Sequence, residues 1–217
     1  MFSPHPDDDV LGCAGILAKH VINGDAVKTV YMTDGCHCYS PTTVLSKLIS
    51  IICRDKFPSP EELIEIREEE AIAASRELGI SKENLVFLGY EDGSLSDNVE
   101  TATKRVKEIL ESTNPHLIYL PHKDEDHVDH RATYNVLENA LGAYSSKVSL
   151  RQYQVWVSLN EPDITFDLKD LVHIKRKAVY KHKSQLRVKV VTELFKKVLN
   201  SNFEYFKSKN SFAKSHL

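Results

Sequence analysis

Two short stretches of the chain crowd together groups that bind metal ions or move protons. The first reads Ser3-Pro4-His5-Pro6-Asp7-Asp8-Asp9 and runs into Val10-Leu11-Gly12-Cys13-Ala14-Gly15. One imidazole and three carboxylates stand at the start of a helical apolar pattern. Acidic residues at a helix start also cap its amides and complement its dipole. That accounts for each Asp singly, but not for a histidine between two prolines, which stiffen the turn and fix where its neighbours point. A His and a carboxylate at i and i+3 can reach one zinc-type ion. A neighbouring carboxylate outside the coordination sphere can act as a base. The second stretch reads Pro121-His122-Lys123-Asp124-Glu125-Asp126-His127-Val128-Asp129-His130-Arg131-Ala132-Thr133. His127 and His130, three apart at a helix start, can face the same side.

The surrounding pattern says which elements must carry these groups. Short apolar runs at Val27–Met32, Leu85–Leu88, Leu117–Leu120, Tyr153–Val157 and Ile164–Leu168 read as buried strands. Helical stripes fall at Val10–Ile22, Pro60–Leu78, Asn98–Leu110 and His130–Leu141, and a C-terminal segment at about 169–209 also reads as helical. The alternation predicts an α/β fold with a mostly parallel central sheet and helices on both faces, a Rossmann-like three-layer sandwich forming a single domain over 1–217. The second constellation follows the predicted strand Leu117–Leu120 and the first sits where a strand would end and a helix begin, which puts both at the edge of the sheet where such folds bind ligands. Residues 36–59, with a short helix at Val44–Ile52, read as a long loop over one end of the sheet.

Composition narrows the class. The 217 residues carry a net charge of −3, too little positive charge to suggest nucleic acid. The longest uncharged apolar run near the start, Val10–Ala18, is far short of the roughly 20 residues that cross a membrane. No basic segment precedes it, so no signal peptide is expected and a cytoplasmic setting fits. Cys13, Cys36, Cys38 and Cys53 are too sparse for a disulfide scaffold. Cys36-His37-Cys38 lacks a second ligand pair and reads as a loop with ordinary thiols. Trp156 reads as core, and the lysine-rich stretch from Lys169 as a solvated helix face. Nothing reads as a G-x-G-x-x-G turn after a strand. Ten histidines against eight glycines direct attention to a metal or acid–base site.

The motifs together resemble the LmbE-like, or PIG-L, metal-dependent deacetylases. The family's His-Pro-Asp-Asp turn stands as His5–Asp8, and its His-x-Asp-His-Arg-Ala as His127–Ala132. Thr33-Asp34-Gly35, Arg67-x-x-Glu70, the run Phe87–Gly93 and His182-Lys183-Ser184-Gln185 match in order. The resemblance implies one zinc ion per chain held by His5, Asp8 and His130, with Asp7 as general base. It implies that His127, oriented by Asp129, stabilises the oxyanion or protonates the leaving amine. Arg67 and Asp92 fall at positions that contact the substrate sugar, and His182 at one that may line the pocket. The implied activity is removal of the N-acetyl group from an N-acetylglucosamine-containing small molecule, releasing acetate, with a homo-oligomer a compatible state. The rival is a non-catalytic metal- or sugar-binding protein on the same fold. Two departures stand out. Asp9 replaces the usual Glu, and only Met1–Pro4 precede His5, so either the first strand is nearly absent or the true start lies upstream.

Overall fold

The computed structural model describes residues 1–37, 58–142, 144–187 and 189–209. The helix expected at Val44–Ile52, with Cys38 and Cys53, lies outside the described residues. Strand and helix alternate through β1 (Phe2–Ser3), α1 (Asp8–Ile22), β2 (Thr29–Thr33), α2 (Pro60–Glu77), β3 (Leu85–Tyr90), α3 (Val99–Thr113), β4 (Leu117–Pro121), α4 (Val128–Gly142) and β5 (Ser149–Tyr153). They continue through β6 (Ile164–Asp167), α5 (Val172–Val179), α6 (Lys189–Asn200) and β7 (Phe203–Lys209).

The result is an α/β fold with two ladders. β1, β2 and β3 pair in parallel in that order. The second sheet runs β4-β5-β7-β6, parallel between β4 and β5 and antiparallel on either side of β7. β1 packs beside β4, so strand order departs from this point in both directions, the position at which open α/β sheets bind ligands. β1 is two residues long, and Val30 N beyond it donates to Met1 O at 2.8 Å.

The continuous apolar runs follow from burial on both faces. Ile118 and Leu120 of β4 pack with Met32, Val106 and Leu137, whereas Tyr119 packs with Leu17, Tyr153 and Phe206. α2 starts as its sequence directs: Pro60 follows Ser59, whose Oγ accepts from Glu62 N at 3.2 Å while Ser59 N donates to Glu62 Oε2 at 2.8 Å. Gly12 lets β5 approach α1, since a Cβ there would run into the Tyr153 ring and Gln154 O.

Two expectations need correction. The strand expected at Tyr153–Val157 is β5, Ser149–Tyr153. The ladder stops there because Glu125 takes the next amides: Val155 N donates to its Oε1, and Trp156 N and Val157 N to its Oε2. The segment 169–209 is not helical throughout, because Phe203–Lys209 forms β7 between β5 and β6. Buried Glu204 and Phe206 alternate with more exposed neighbours, a period of two.

Glu204 also ties β7 to α1. Its carboxylate accepts from Gly15 N at 2.8 Å and Ile16 N at 3.0 Å, and pairs with Lys175 Nζ at 2.9 Å. Lys175 and Glu204 are 3% exposed each, so either charge left alone would be a buried orphan. Glu204→Ala is expected to cost about 3–5 kcal/mol of stability, read as the urea midpoint. A loss under about 1 kcal/mol would mean the pair behaves as a surface one.

No described helix is long and apolar enough to cross a membrane. A cavity of about 570 Å³ lies along Met1, His20, Asp25, Asn84, Ile109 and His116, away from both acidic clusters.

Candidate active site

The turns after β1 and β4 bring the two constellations together. His5 N donates to Asp8 Oδ2 at 2.9 Å, closing the His-Pro-Asp-Asp turn on itself. The same oxygen lies 3.0 Å from His5 Nδ1 and 3.0 Å from His130 Nε2. His130 is fully buried, and neither of its ring nitrogens makes a directed hydrogen bond. A buried nitrogen beside a carboxylate but not aimed at it has the geometry of two groups sharing an ion. Separations near 3 Å suit donors each about 2.0–2.1 Å from one metal. The Asp8 oxygen thus stands at a separation from each of the two rings that suits a zinc-type ion.

The His5, His127 and His130 rings bring donor nitrogens within 4.8 Å of one another, and so does a further set, His5, Asp92, His127 and Asp129. Its carboxylates are already engaged. Asp129 accepts from Gly93 N at 2.6 Å and Leu95 N at 3.2 Å, and Asp92 Oδ2 from His37 N at 3.1 Å. Both instead face His5 Nε2, each at 3.3 Å. Burial disfavours a charge on His5, but Asp129, Asp8 and Asp92 outweigh it and raise its pKa well above the ordinary value. Burial likewise opposes charge on Asp8, and His130 and His5 more than offset it, lowering its pKa.

Asp7 stands beside this group, held by a different neighbour. Arg67 Nη2 donates to Asp7 Oδ1 at 3.0 Å, and Arg67 Nη1 to Gly35 O at 2.7 Å. Gly35 has φ +67, and a Cβ there would strike the guanidinium, so this turn needs glycine twice over. Burial raises the Asp7 pKa, with Arg67 pulling the other way. These contacts direct Arg67 to Asp7, where a sugar contact was expected. Asp92 sits at the edge of the cluster, 8% exposed.

His127 is half-buried, its ring 4.6 Å from that of His5 and 5.5 Å from that of His130. Its expected partner acts through a different atom. The Asp129 backbone N donates to His127 Nδ1 at 3.2 Å, while the nearest carboxylate oxygen is 4.0 Å away. Nδ1 as acceptor leaves the proton of the neutral ring on Nε2. Burial, then His5 and His130, lower the His127 pKa and outweigh the opposing pull of Asp129.

Three further carboxylates support the site, of which only Glu125 is not singled out in the sequence. Glu125 is 1% exposed and lies 3.4 Å from His122 Nε2 and 3.9 Å from His130 Nδ1. In sequence it is one acid among Asp124, Glu125 and Asp126, and only its offset from His130 marks it. Asp9 accepts from Tyr31 OH at 2.9 Å, and burial raises its pKa to about 7. Glu70 reaches Ser184, far along the chain. His122 is buried, with Nε2 2.9 Å from Val157 O. Cys36 is buried beside Asp34, and Trp156 packs against the core as expected.

His182 is fully buried, and neither ring nitrogen has a hydrogen-bond partner. Burial and then the Arg67 charge bring its pKa down to about 3. Unfolded, it takes a proton near pH 6.5. This contribution is therefore whole above that pH and lost as pH falls towards the folded value, by about 1.4 kcal/mol per unit. Lowering the pH from 7 to 5 should remove about 2 kcal/mol more stability from the wild type than from His182→Gln, read by urea unfolding. Equal losses would mean the ring protonates in place.

The family profile described as GlcNAc-PI de-N-acetylase (PIG-L) matches residues 1–141. A protein of Bacillus subtilis (strain 168), described as a probable N-acetyl-α-D-glucosaminyl L-malate deacetylase 2, is 27% identical over 208 residues, covering 91% of this chain and 87% of that protein. The N,N'-diacetylchitobiose deacetylase of Pyrococcus horikoshii superposes with a TM-score of 0.73 at 25% identity, covering 97% of this chain and 82% of that one. A 4-carboxy-2-hydroxymuconate hydratase from Pseudomonas putida has a TM-score of 0.70 at 17% identity, covering 100% and 97%. That likeness concerns the fold alone, since one fold carries several chemistries. With a profile match over most of its length, and with that family's His-Pro-Asp-Asp and His-x-Asp-His turns meeting in one site, the chain belongs to the PIG-L (LmbE-like) family of de-N-acetylases.

Proposed function

We propose that this protein is a zinc-dependent hydrolase that removes the acetyl group from an N-acetylglucosamine-containing small molecule. The supporting observation is the Asp8 oxygen shared at 3.0 Å by His5 and His130, with Asp7 beside it on Arg67. His5, Asp8 and His130 would hold the zinc. When bound, zinc supplies a Lewis acid that lowers the pKa of water and polarises the acetyl carbonyl. Asp7 takes the proton of the attacking water, and its raised pKa suits that task. His127 presents a neutral Nε2–H to the oxygen on which charge develops. Asp129 fixes that ring through its backbone amide and His5 through its carboxylate. Asp7, now protonated, passes its proton to the departing amine, leaving acetate and a free amino sugar. Asp92 is the residue proposed to meet the sugar. The two ladders, meeting at β1 and β4, are proposed to act as the single central sheet of a Rossmann-like three-layer sandwich.

The test is acetate release from N-acetylglucosaminyl malate and from N,N'-diacetylchitobiose, alongside zinc content. Stoichiometric zinc with no release from either would favour the metal- or sugar-binding reading.

A further inference from the structure

Two matched motifs are far apart in the sequence, and the chemistry above uses only Arg67 from them. Arg67 and Glu70 lie on one face of α2, three residues apart. Glu70 grips the other motif: Ser184 N donates to its Oε1 at 2.8 Å and Ser184 Oγ to its Oε2 at 2.7 Å. Gln185 Nε2 donates to the same Ser184 oxygen at 3.2 Å, which fixes the hydroxyl's direction. Further along α2, Ser75 Oγ lies 3.2 Å from Tyr31 OH and Glu77 Oε1 2.8 Å from Lys181 Nζ, both C-terminal to Arg67 and Glu70. Apart from Arg67 and Ser75, the buried residues of α2 are Leu63, Ala71 and Ala74, and alanines bury little apolar surface. Charge-assisted hydrogen bonds to a carboxylate are stronger than neutral ones. The helix is thus pinned by a carboxylate on the 182–185 turn and, one turn earlier, by a guanidinium on Asp7.

We propose that Glu70 and Ser184 are positioning residues for proton transfer at Asp7: their lock sets the rotation of α2 and with it the Arg67–Asp7 hydrogen bond. His182 lies in the same turn, its buried ring close enough to feel the Arg67 charge. The inference rests on Asp7 being the base.

The experiment compares Ser184→Ala, Ser184→Thr and Glu70→Gln with wild type, per folded and zinc-loaded site. Ser184→Ala should lower kcat about 10- to 100-fold, the cost of misplacing a catalytic group by about an ångström, with KM within about twofold. Ser184→Thr, which keeps the hydroxyl, should restore kcat. Crystal structures supply a second readout: in Ser184→Ala, Arg67 Nη2 should leave hydrogen-bond reach of Asp7 Oδ1. Unchanged kcat with the Arg67–Asp7 contact intact overturns the proposal. If Ser184→Ala does not fold, Glu70→Gln, which keeps the side-chain shape, is read by the same two measures. A wild type that releases no acetate overturns the deacetylase reading, while the crystallographic comparison still decides the lock.

Discussion

Replacing Asp7 with Asn should leave one zinc per chain in place and lower kcat about 10²–10⁴-fold, the range that a positioned general base contributes. Asn keeps the volume and an oxygen that can accept from Arg67 Nη2, so the contact now 3.0 Å long can persist. What it loses is the capacity to take a proton. The proposed zinc donors are other groups, and the shared oxygen belongs to Asp8. Acetate release and elemental analysis on the same preparation separate the two effects. Full activity with full zinc would remove Asp7 from the base role. Lost zinc would mean that Asp7 belongs among the ligands.

His130→Ala should do the opposite and release the metal. Its ring is fully buried, with Nε2 3.0 Å from Asp8 Oδ2. Removing one of three ligands should weaken zinc binding by more than the 10- to 100-fold typical of groups behind the ligands. Glu125→Gln is the matched comparison. Glu125 sits 3.9 Å from His130 Nδ1 and holds three amides of the 155–157 segment. Its loss should fall within that 10- to 100-fold range, read by competition with a chelator. If His130→Ala binds zinc as wild type does, the His5, Asp92, His127 and Asp129 group would become the candidate site.

Much of this was legible because the chemistry is local in sequence. His5 and Asp8 share one turn, and their geometry follows from prolines and spacing. The alternation of apolar runs gave the parallel strands because burial on both faces leaves that imprint. Tertiary competition was not legible. Nothing in YQVWV shows that its last amides will leave the ladder for Glu125. Nothing in FEYFKSK outweighs the helical stripe before it until β5 and β6 offer edges to pair with. The His127–Asp129 pair was read correctly as partners but through the wrong atom, since spacing does not distinguish a backbone amide from a carboxylate. The Arg67 to Asp7 contact joins positions 60 residues apart, beyond the reach of any local pattern.

The Glu204 grip on α1 has a consequence for how the molecule is made. It joins positions 189 residues apart, and the helix it holds begins at Asp8. During synthesis the His-Pro-Asp-Asp turn leaves the ribosome early, but the strand that anchors its helix emerges only after six other strands. Contacts of such separation close late, because chain entropy must be paid first. The turn that carries His5 and Asp8 is thus made well before the strand that locks its helix, and newly made chains should acquire zinc affinity only once β7 has docked.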